Sequence, residues 1–403
     1  MLNDPQDLSL PSPGTPAPSQ TPIQRVGVIG GGQLAWMMAG AAKKLGLSLV
    51  VQTETPQDSA VAIASDVILA SVADAQATVD LANRCDVITF ENEFVDLIAL
   101  GALAEQGVCF RPHLTSLAPL LDKYEQRCFL RDRQLPTPQF AILTELDLDS
   151  LTFPAVLKTR RNGYDGYGTF IVKHRSALQE LLQKISQTRS LDELIWESFV
   201  PFERELAVMV ARSQTGEIVV YPIVESQQEN QVCRRVTVPT PLPTGVAQQV
   251  DAIARAIVES LQFIGILGVE LFLTHEGEVL VNEIAPRTHN SGHYSLDACV
   301  TSQFEQQLRA VTGLPLGSAA LNCQAAVMVN LLGFESSTCD YAEKRQQLAA
   351  LPHAQLYWYN KPQSRPGRKL GHVTVCLPLE SAATPITPWA EQTIQQIEAI
   401  WYP

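Results

Sequence analysis

The chain has 403 residues, 46% of them apolar and 18% charged, with a formal net charge of −13. That length exceeds one compact core and predicts two or three domains, while no apolar run approaches the roughly eighteen residues of a membrane span. The acidic balance argues against a nucleic-acid binder, whose footprint would be basic, so small anionic ligands must be held by local cationic clusters.

Residues 1–24 hold six prolines, three serines and no lysine or arginine, a composition that predicts a disordered leader rather than a signal or transit peptide. From Arg25 the pattern reads strand Val26–Ile29, glycine turn Gly30-Gly-Gly-Gln33, helix Leu34–Leu45 and strand Leu47–Val51, which is half of a doubly wound sheet. Another buried strand, Asp86–Phe90, runs into Glu91-Asn-Glu93 at the carboxyl edge, where such sheets bind ligands. A helix around Leu121–Leu135, stopped by Pro136 and Pro138, opens a new block. Strands are expected there at Ala155–Lys158, Thr169–Val172, Leu194–Glu197 and Glu205–Val210, with helices near 176–186 and 245–262. The last segment carries strands Ala325–Leu331 and His372–Leu377. The expected organisation is a Rossmann-like α/β domain over 25–120, an α+β domain over 121–320 and a small β-rich domain over 321–403. Eight cysteines, at 85, 109, 128, 233, 299, 323, 339 and 376, form no Cys-x-x-Cys. Neither a zinc site nor a disulfide framework is indicated, and reduced thiols of a cytoplasmic protein fit best.

One hairpin concentrates charge. Gly268–Thr274 reads as a strand, His275-Glu-Gly-Glu278 as a four-residue turn and Val279–Ile284 as the return, so that pairing Thr274 with Val279 sets Glu270 opposite Glu283 on one face. Like charges so placed repel, and a divalent cation between them removes the conflict; oxygen-only ligation suggests magnesium, with manganese as the alternative. Glu270 and Glu283 are therefore the expected metal ligands.

Other clusters follow in order. Gly30-Gly-Gly-Gln-Leu-Ala35 satisfies a loose dinucleotide fingerprint with Glu54 downstream, and equally suits any phosphate at a helix N-terminus. Lys158 precedes the glycine-rich loop Gly163-Tyr-Asp-Gly166-Tyr-Gly168, which suits nucleotide phosphates without being a Walker loop. Glu197 and Glu205 end and begin strands, where acids accept from adenine or ribose. Asn282-Glu283-Ile-Ala-Pro-Arg287-Thr-His289-Asn290-Ser-Gly-His293 is the densest cluster, fit to hold an anion beside a metal-bound phosphate. Lys361, Arg365, Arg368 and Lys369 form a short proline-bounded basic loop suited to one phosphomonoester.

Together these motifs, with Arg365-Pro-Gly-Arg-Lys-Leu-Gly-His372 and Thr89-Phe-Glu91-Asn-Glu93, resemble the ATP-grasp superfamily, and specifically the N5-carboxyaminoimidazole ribonucleotide synthetase family of purine biosynthesis. Ala285 replaces the asparagine that other ATP-grasp enzymes commonly carry two residues after the second metal carboxylate, as in this family. The resemblance implies an ATP-grasp fold with an N-terminal pre-ATP-grasp domain, and a ligase reaction in which ATP phosphorylates bicarbonate to carboxyphosphate, which carboxylates the amine of 5-aminoimidazole ribonucleotide. It implies that ATP is held by Lys123, Lys158, the flap Gly163, Tyr164, Asp165, Gly166, Tyr167, Gly168 and Thr169, the segment Glu197, Ser198, Phe199 and Val200, and Glu205, Asn282 and Glu283. Arg287, His289 and Asn290 would hold bicarbonate and carboxyphosphate. Gln33, Glu91, Tyr164 and Asp165 would contact the ribonucleotide, with Lys361, Arg365 and Arg368 at its phosphate. The amine proton goes to Asp165 or to phosphate; the sequence does not choose. The resemblance further implies a homodimer, while charge and hydropathy point to neither nucleic acid nor membrane as partner. Tyr167 and Trp36 stand where relatives often have arginine, and Asn92 and Phe94 depart from the usual acidic motif. Three other readings compete. A formate-dependent transformylase would share the metal hairpin, a nicotinamide oxidoreductase would use the Gly30 turn, and a binding protein would hold nucleotide without turnover.

Overall fold

The computed structural model of the chain describes residues 22–403 apart from 147, 149, 150, 162, 164, 165, 188, 189, 382 and 383. Tyr164 and Asp165, and all but the end of the expected leader, lie outside the described residues. Four strands, β1 (Arg25–Ile29), β2 (Ser48–Thr53), β3 (Asp66–Leu69) and β4 (Val87–Phe90), form a parallel sheet in the order β3-β2-β1-β4. The helix Gln33–Lys44 buries Leu34, Ala35, Met37, Met38 and Ala42 against it, the helical spacing of an apolar stripe. Sequence patterning passed over β3 and the helix Ala75–Ala82, whose N-terminus Asp74 caps by accepting from the amides of Gln76 and Ala77.

A second sheet joins β5 (Phe140–Ile142), β6 (Ala155–Thr159), β7 (Thr169–Val172) and β8 (Leu194–Ser198) in the order β5-β8-β6-β7. The third contains β9 (Phe202–Arg212), β10 (Ile218–Val220), β11 (Val224–Glu229), β12 (Val232–Val238), β13 (Gly265–Thr274), β14 (Val279–Ala285), β15 (Ala325–Leu332), β16 (Ala354–Trp358) and β17 (Lys369–Leu377). Its path is β14-β13-β9-β11-β12-β15-β17-β16, with β10 on β9. The C-terminal strands thus continue the central sheet: β15 pairs antiparallel with β12, Arg235 facing Val329 and Val238 facing Ala326. The joining hairpin β11–β12 carries glutamines, glutamates and arginines, which is why it left no apolar alternation to read.

Two contacts fix the first domain against the central sheet. Gln307, on the helix Gln303–Thr312, accepts from Ile266 N at 2.7 Å and donates to Thr89 Oγ1 at 2.7 Å, so one buried amide spans β13 and β4. Lys44 reaches Glu305 on the same helix at 2.7 Å. At the far end the C-terminal helix Ile386–Trp401 docks on β15 through Trp401, which is fully buried and donates from Nε1 to Leu332 O at 2.8 Å. Trp401→Ala should cost about 3–5 kcal/mol, through the cavity and the lost hydrogen bond; a shift in the urea midpoint at unchanged slope is the expected reading.

Candidate active site at the meeting of two sheets

Glu270 does face Glu283, but by a different register from the expected one. Leu273, not Thr274, pairs with Val279. The turn is tighter, with Thr274 N donating to Glu278 O at 2.9 Å and Gly277 at φ +82°, the left-handed residue of a three-residue hairpin loop. The one-residue error is cancelled by a bulge between Glu270 and Leu271, whose partners are Glu283 and Val281, leaving Asn282 as the extra residue. In a regular strand Asn282 and Glu283 would face opposite sides; a bulge breaks that alternation. Accordingly Asn282 Nδ2 donates to Glu270 Oε2 at 3.3 Å.

The bulge also frees backbone carbonyls, and a buried arginine takes them. Arg127 donates to the carbonyls of Val281 at 3.1 Å and Asn282 at 2.7 Å, and its Nε lies 2.8 Å from Glu197 Oε1. Glu197 Oε2 holds Lys158 Nζ at 2.8 Å, and Lys158 donates to Asn282 Oδ1 at 3.1 Å, which closes a ring of contacts. Glu197 was expected to face adenine; its two oxygens instead engage two buried cations. Burial alone would raise its pKa, but Arg127 and then Lys158 outweigh that and leave it at about 2. Burial acts to lower the pKa of Lys158. Ser198 is also engaged, bonding Gln139 through its backbone N–H and its hydroxyl.

The facing acids divide in character. Glu270 is pushed up to about 7, first by burial and then by Glu283. Glu283 meets Lys123 Nζ at 2.6 Å; burial opposes its charge, but Lys123 prevails and holds it at about 2. Glu205, on β9 two residues along the same face, is also raised to about 7, by burial and by Glu270. Lys123 N donates to Arg160 O at 2.8 Å, tying this lysine to the end of β6, where the glycine flap begins. Of the flap, Gly166 and Gly168 take φ of +77° and +82° and Tyr167 is exposed.

At the other end Glu91 lies on the glycine turn, accepting from Leu34 N at 3.3 Å, and burial raises it to about 7. A Cβ on Gly32 would lie 2.6 Å from its Oε1, so the glycines admit this carboxylate. Glu91 thus takes the helix N-terminus that a pyrophosphate would occupy, which argues against the nicotinamide reading. Gln33 is partly buried at the start of the same helix. Arg287 pairs with Glu93 at 2.8 Å. His289 places Nε2 at 3.4 Å from Glu270 Oε1 and Nδ1 at 2.8 Å from Ser291 Oγ. A Cβ on Gly268 would lie 2.5 Å from His289 Cβ, so only glycine lets this loop sit on β13. Asn290, expected at the anion, is buried with both amide atoms on Asn330 of β15, at 3.0 and 2.7 Å.

The basic loop reaches the same region. Ala60 N donates to Gly31 O at 2.9 Å, Ser59 Oγ donates to Tyr359 O at 2.7 Å, and Lys361 Nζ lies 5.6 Å above the Tyr359 ring. Arg368 donates to Gln363 O at 2.8 Å, and its pKa is lowered by burial and then by Arg365. Sequence reading did not single out Arg127, whose helix looks ordinary, and it treated Lys369 only as part of the basic loop. Lys369 is in fact buried, and its charge acts on Glu270 and His293. A basic residue entering an apolar strand was the available signal. His293 is fully buried among aromatic rings.

Three family models match in succession: the ribonucleotide synthetase preATP-grasp domain over residues 23–118, the ATP-grasp domain over 128–304 and the phosphoribosylaminoimidazole carboxylase C-terminal domain over 326–384. The chain is 58% identical to N5-carboxyaminoimidazole ribonucleotide synthase of Synechococcus elongatus, over 94% of this chain and 96% of that one. Among solved structures, an ADP complex of N5-carboxyaminoimidazole ribonucleotide synthetase superposes with a TM-score of 0.84 at 34% identity, covering 95% of this chain and 99% of the other. The Aspergillus clavatus enzyme in complex with ADP and 5-aminoimidazole ribonucleotide gives a TM-score of 0.83 at 29% identity, covering 94% and 98%. With matched segments running in order through the three sheets, and more than half of its residues shared with a relative of nearly equal extent, the chain belongs to the N5-carboxyaminoimidazole ribonucleotide synthase family of ATP-grasp ligases.

Proposed function

We propose that the cleft between β6/β8 and the β13–β14 hairpin carries the reaction of this family, the ATP- and bicarbonate-dependent carboxylation of 5-aminoimidazole ribonucleotide with release of ADP and phosphate. The observation that carries the residue assignment is the convergence of two clusters on Glu270. Lys123, Lys158, Asn282 and Glu283 lie on one side, and His289 and the charge of Lys369 on the other.

ATP phosphates go to Lys123, Lys158 and the glycine flap. Glu197 holds Lys158 in place, leaving the peptide around Phe199 and Val200 to meet adenine and Glu205 the ribose. Two carboxylates face to face, one of them raised to about 7 by burial and then by the other's charge, are an all-oxygen donor set that fits magnesium. When bound, the ion offsets charge that builds up on the transferring phosphoryl group. Arg287, His289 and Lys369 supply the donors for bicarbonate and then carboxyphosphate, in a partly buried site that limits hydrolysis. Asn290 acts by fastening this loop to Asn330. Gln33 and Glu91 hold the aminoimidazole, with Lys361, Arg365 and Arg368 at its phosphate. The amine proton goes to Asp165 or to the phosphate derived from carboxyphosphate, the two acceptors that the resemblance leaves open. We place the enzyme in the cytosol as a homodimer, a reading supported by its eight free cysteines and by the family resemblance.

Glu283→Gln removes a metal ligand at constant volume and should abolish ADP release that depends on bicarbonate and ribonucleotide together, with the fold intact; turnover at wild-type rate would refute the metal assignment. Arg368→Ala should raise the KM for the ribonucleotide by about tenfold or more and leave that for ATP unmoved. If the ATP KM alone changes, the phosphate site is elsewhere. Because Glu270 keeps its proton up to about 7, above the ordinary 4.5, its contribution to stability is full below 4.5 and lost as pH rises through 7. Glu270→Gln should therefore stabilise the ligand-free chain by about 1–3 kcal/mol near about pH 8 and by little near about pH 5, read by urea unfolding at both.

A further inference from the structure

Behind the anion-binding loop two histidines remain that the reaction does not touch. His293 and His372 are both fully buried, with ring centroids 5.1 Å apart at 47°. Their hydrogen bonds account for one nitrogen each. Gln303 Oε1 accepts from His289 N at 2.9 Å, which fixes the amide orientation; its Nε2 then donates to His289 O at 2.7 Å and to His293 Nδ1 at 3.2 Å. His293 Nδ1 is thereby engaged, and only its Nε2 remains. His372 Nδ1 is matched with the Tyr359 hydroxyl at 2.7 Å. The Nε2 atoms of both rings are buried and have no hydrogen-bond partner among the described protein atoms. Burial keeps both rings neutral: His372 is lowered to about 3, and His293 well below its ordinary value, by burial and then by His372.

The two rings sit on the elements that carry the anion site. His293 closes the loop bearing Arg287 and His289. His372 lies on β17 opposite Asn330, the partner of Asn290. A bulge where Leu331 faces Gly371 and Leu332 faces Lys369 breaks the strand's alternation between Lys369 and His372, and both residues act on His293. Two buried ring nitrogens from two elements, each without a partner among the described protein atoms, are the setting in which one enclosed water is retained.

We propose that His293 and His372 are a positioning pair, their Nε2 atoms bridged by one enclosed water that locks the Arg287–His293 loop to the strand carrying Lys369. The water holds donors in register around carboxyphosphate without contacting it. Losing the bridge loosens that register, so more of the intermediate is hydrolysed before it reaches the amine. The inference rests on the reaction proposed above. A failure of that reaction appears in the wild-type chain, where ADP release would be independent of the ribonucleotide; a failure of the pair appears only in the variants.

The test measures ADP released per carboxylated product, with a high-resolution crystal structure of the wild-type chain. Density for one water within hydrogen-bond distance of both Nε2 atoms is expected, with a ratio of about one in the wild type. His372→Phe should raise the ratio to about three or more, and His372→Gln, which keeps a polar group toward the water, should bring it back towards one. A folded His372→Phe that still releases one ADP per product, or density showing the rings in direct contact with no water, overturns the proposal. The crystallographic arm decides even if the phenylalanine variant does not fold.

Discussion

Glu197, held between Arg127 and Lys158, is the constraint on which the site depends. Its carboxylate is almost fully buried, and so are both cations. Arg127 belongs to the helix Lys123–Asp132, Lys158 to β6 and Glu197 to β8, while the bulged carbonyls that Arg127 binds belong to β14. Four segments are thus joined across the gap between two sheets by one carboxylate. A buried ion pair is weak evidence for stability, because desolvation offsets most of its attraction, but removing one member strands the others without compensation. The ring is better understood as a device of geometry. It sets the height of Lys158 and the direction of Asn282, and hence the space proposed for a nucleotide's phosphates.

The acids opposite that ring are arranged at a cost to the ligand-free fold. Glu270 and Glu205 are both raised to about 7 by burial and by neighbouring negative charge, whereas Glu283 is held low by Lys123. Such a split among close carboxylates is what burial and one nearby cation produce, and it is common at sites that wait for a ligand. The cation proposed above would relieve the repulsion that the hairpin register creates. Affinity for that cation and fold stability would then be coupled through the same pair of carboxylates.

Close approach explains the small residues. Gly32 admits Glu91 to the helix turn, and Gly268 admits His289 to the face of β13. In each case a side chain of the same domain rests where a Cβ would otherwise stand, so the missing side chain lets a polar group pack close to its own backbone. Gln307 and the Lys44–Glu305 pair hold the N-terminal sheet against the central sheet.

Much of this was legible in the residues themselves. The parallel sheet with its glycine turn, the opposition of Glu270 and Glu283, the cation-rich loop after Glu283 and the basic loop near the C-terminus follow from local periodicity and spacing, and the motifs identify the family. Periodicity determines which residues share a face over a few steps, and there the sequence sufficed. It misplaced the hairpin turn by one residue, and an unseen bulge at Asn282 restored the pairing. What it did not determine is which polar groups are already engaged. That Glu197 serves Lys158, that Asn290 serves Asn330, that the charge of Lys369 acts on Glu270 and that Glu91 occupies the phosphate-like turn depend on partners up to about a hundred residues away. Such pairings arise only when sheets pack, because burial is what makes a polar group take one partner and refuse another.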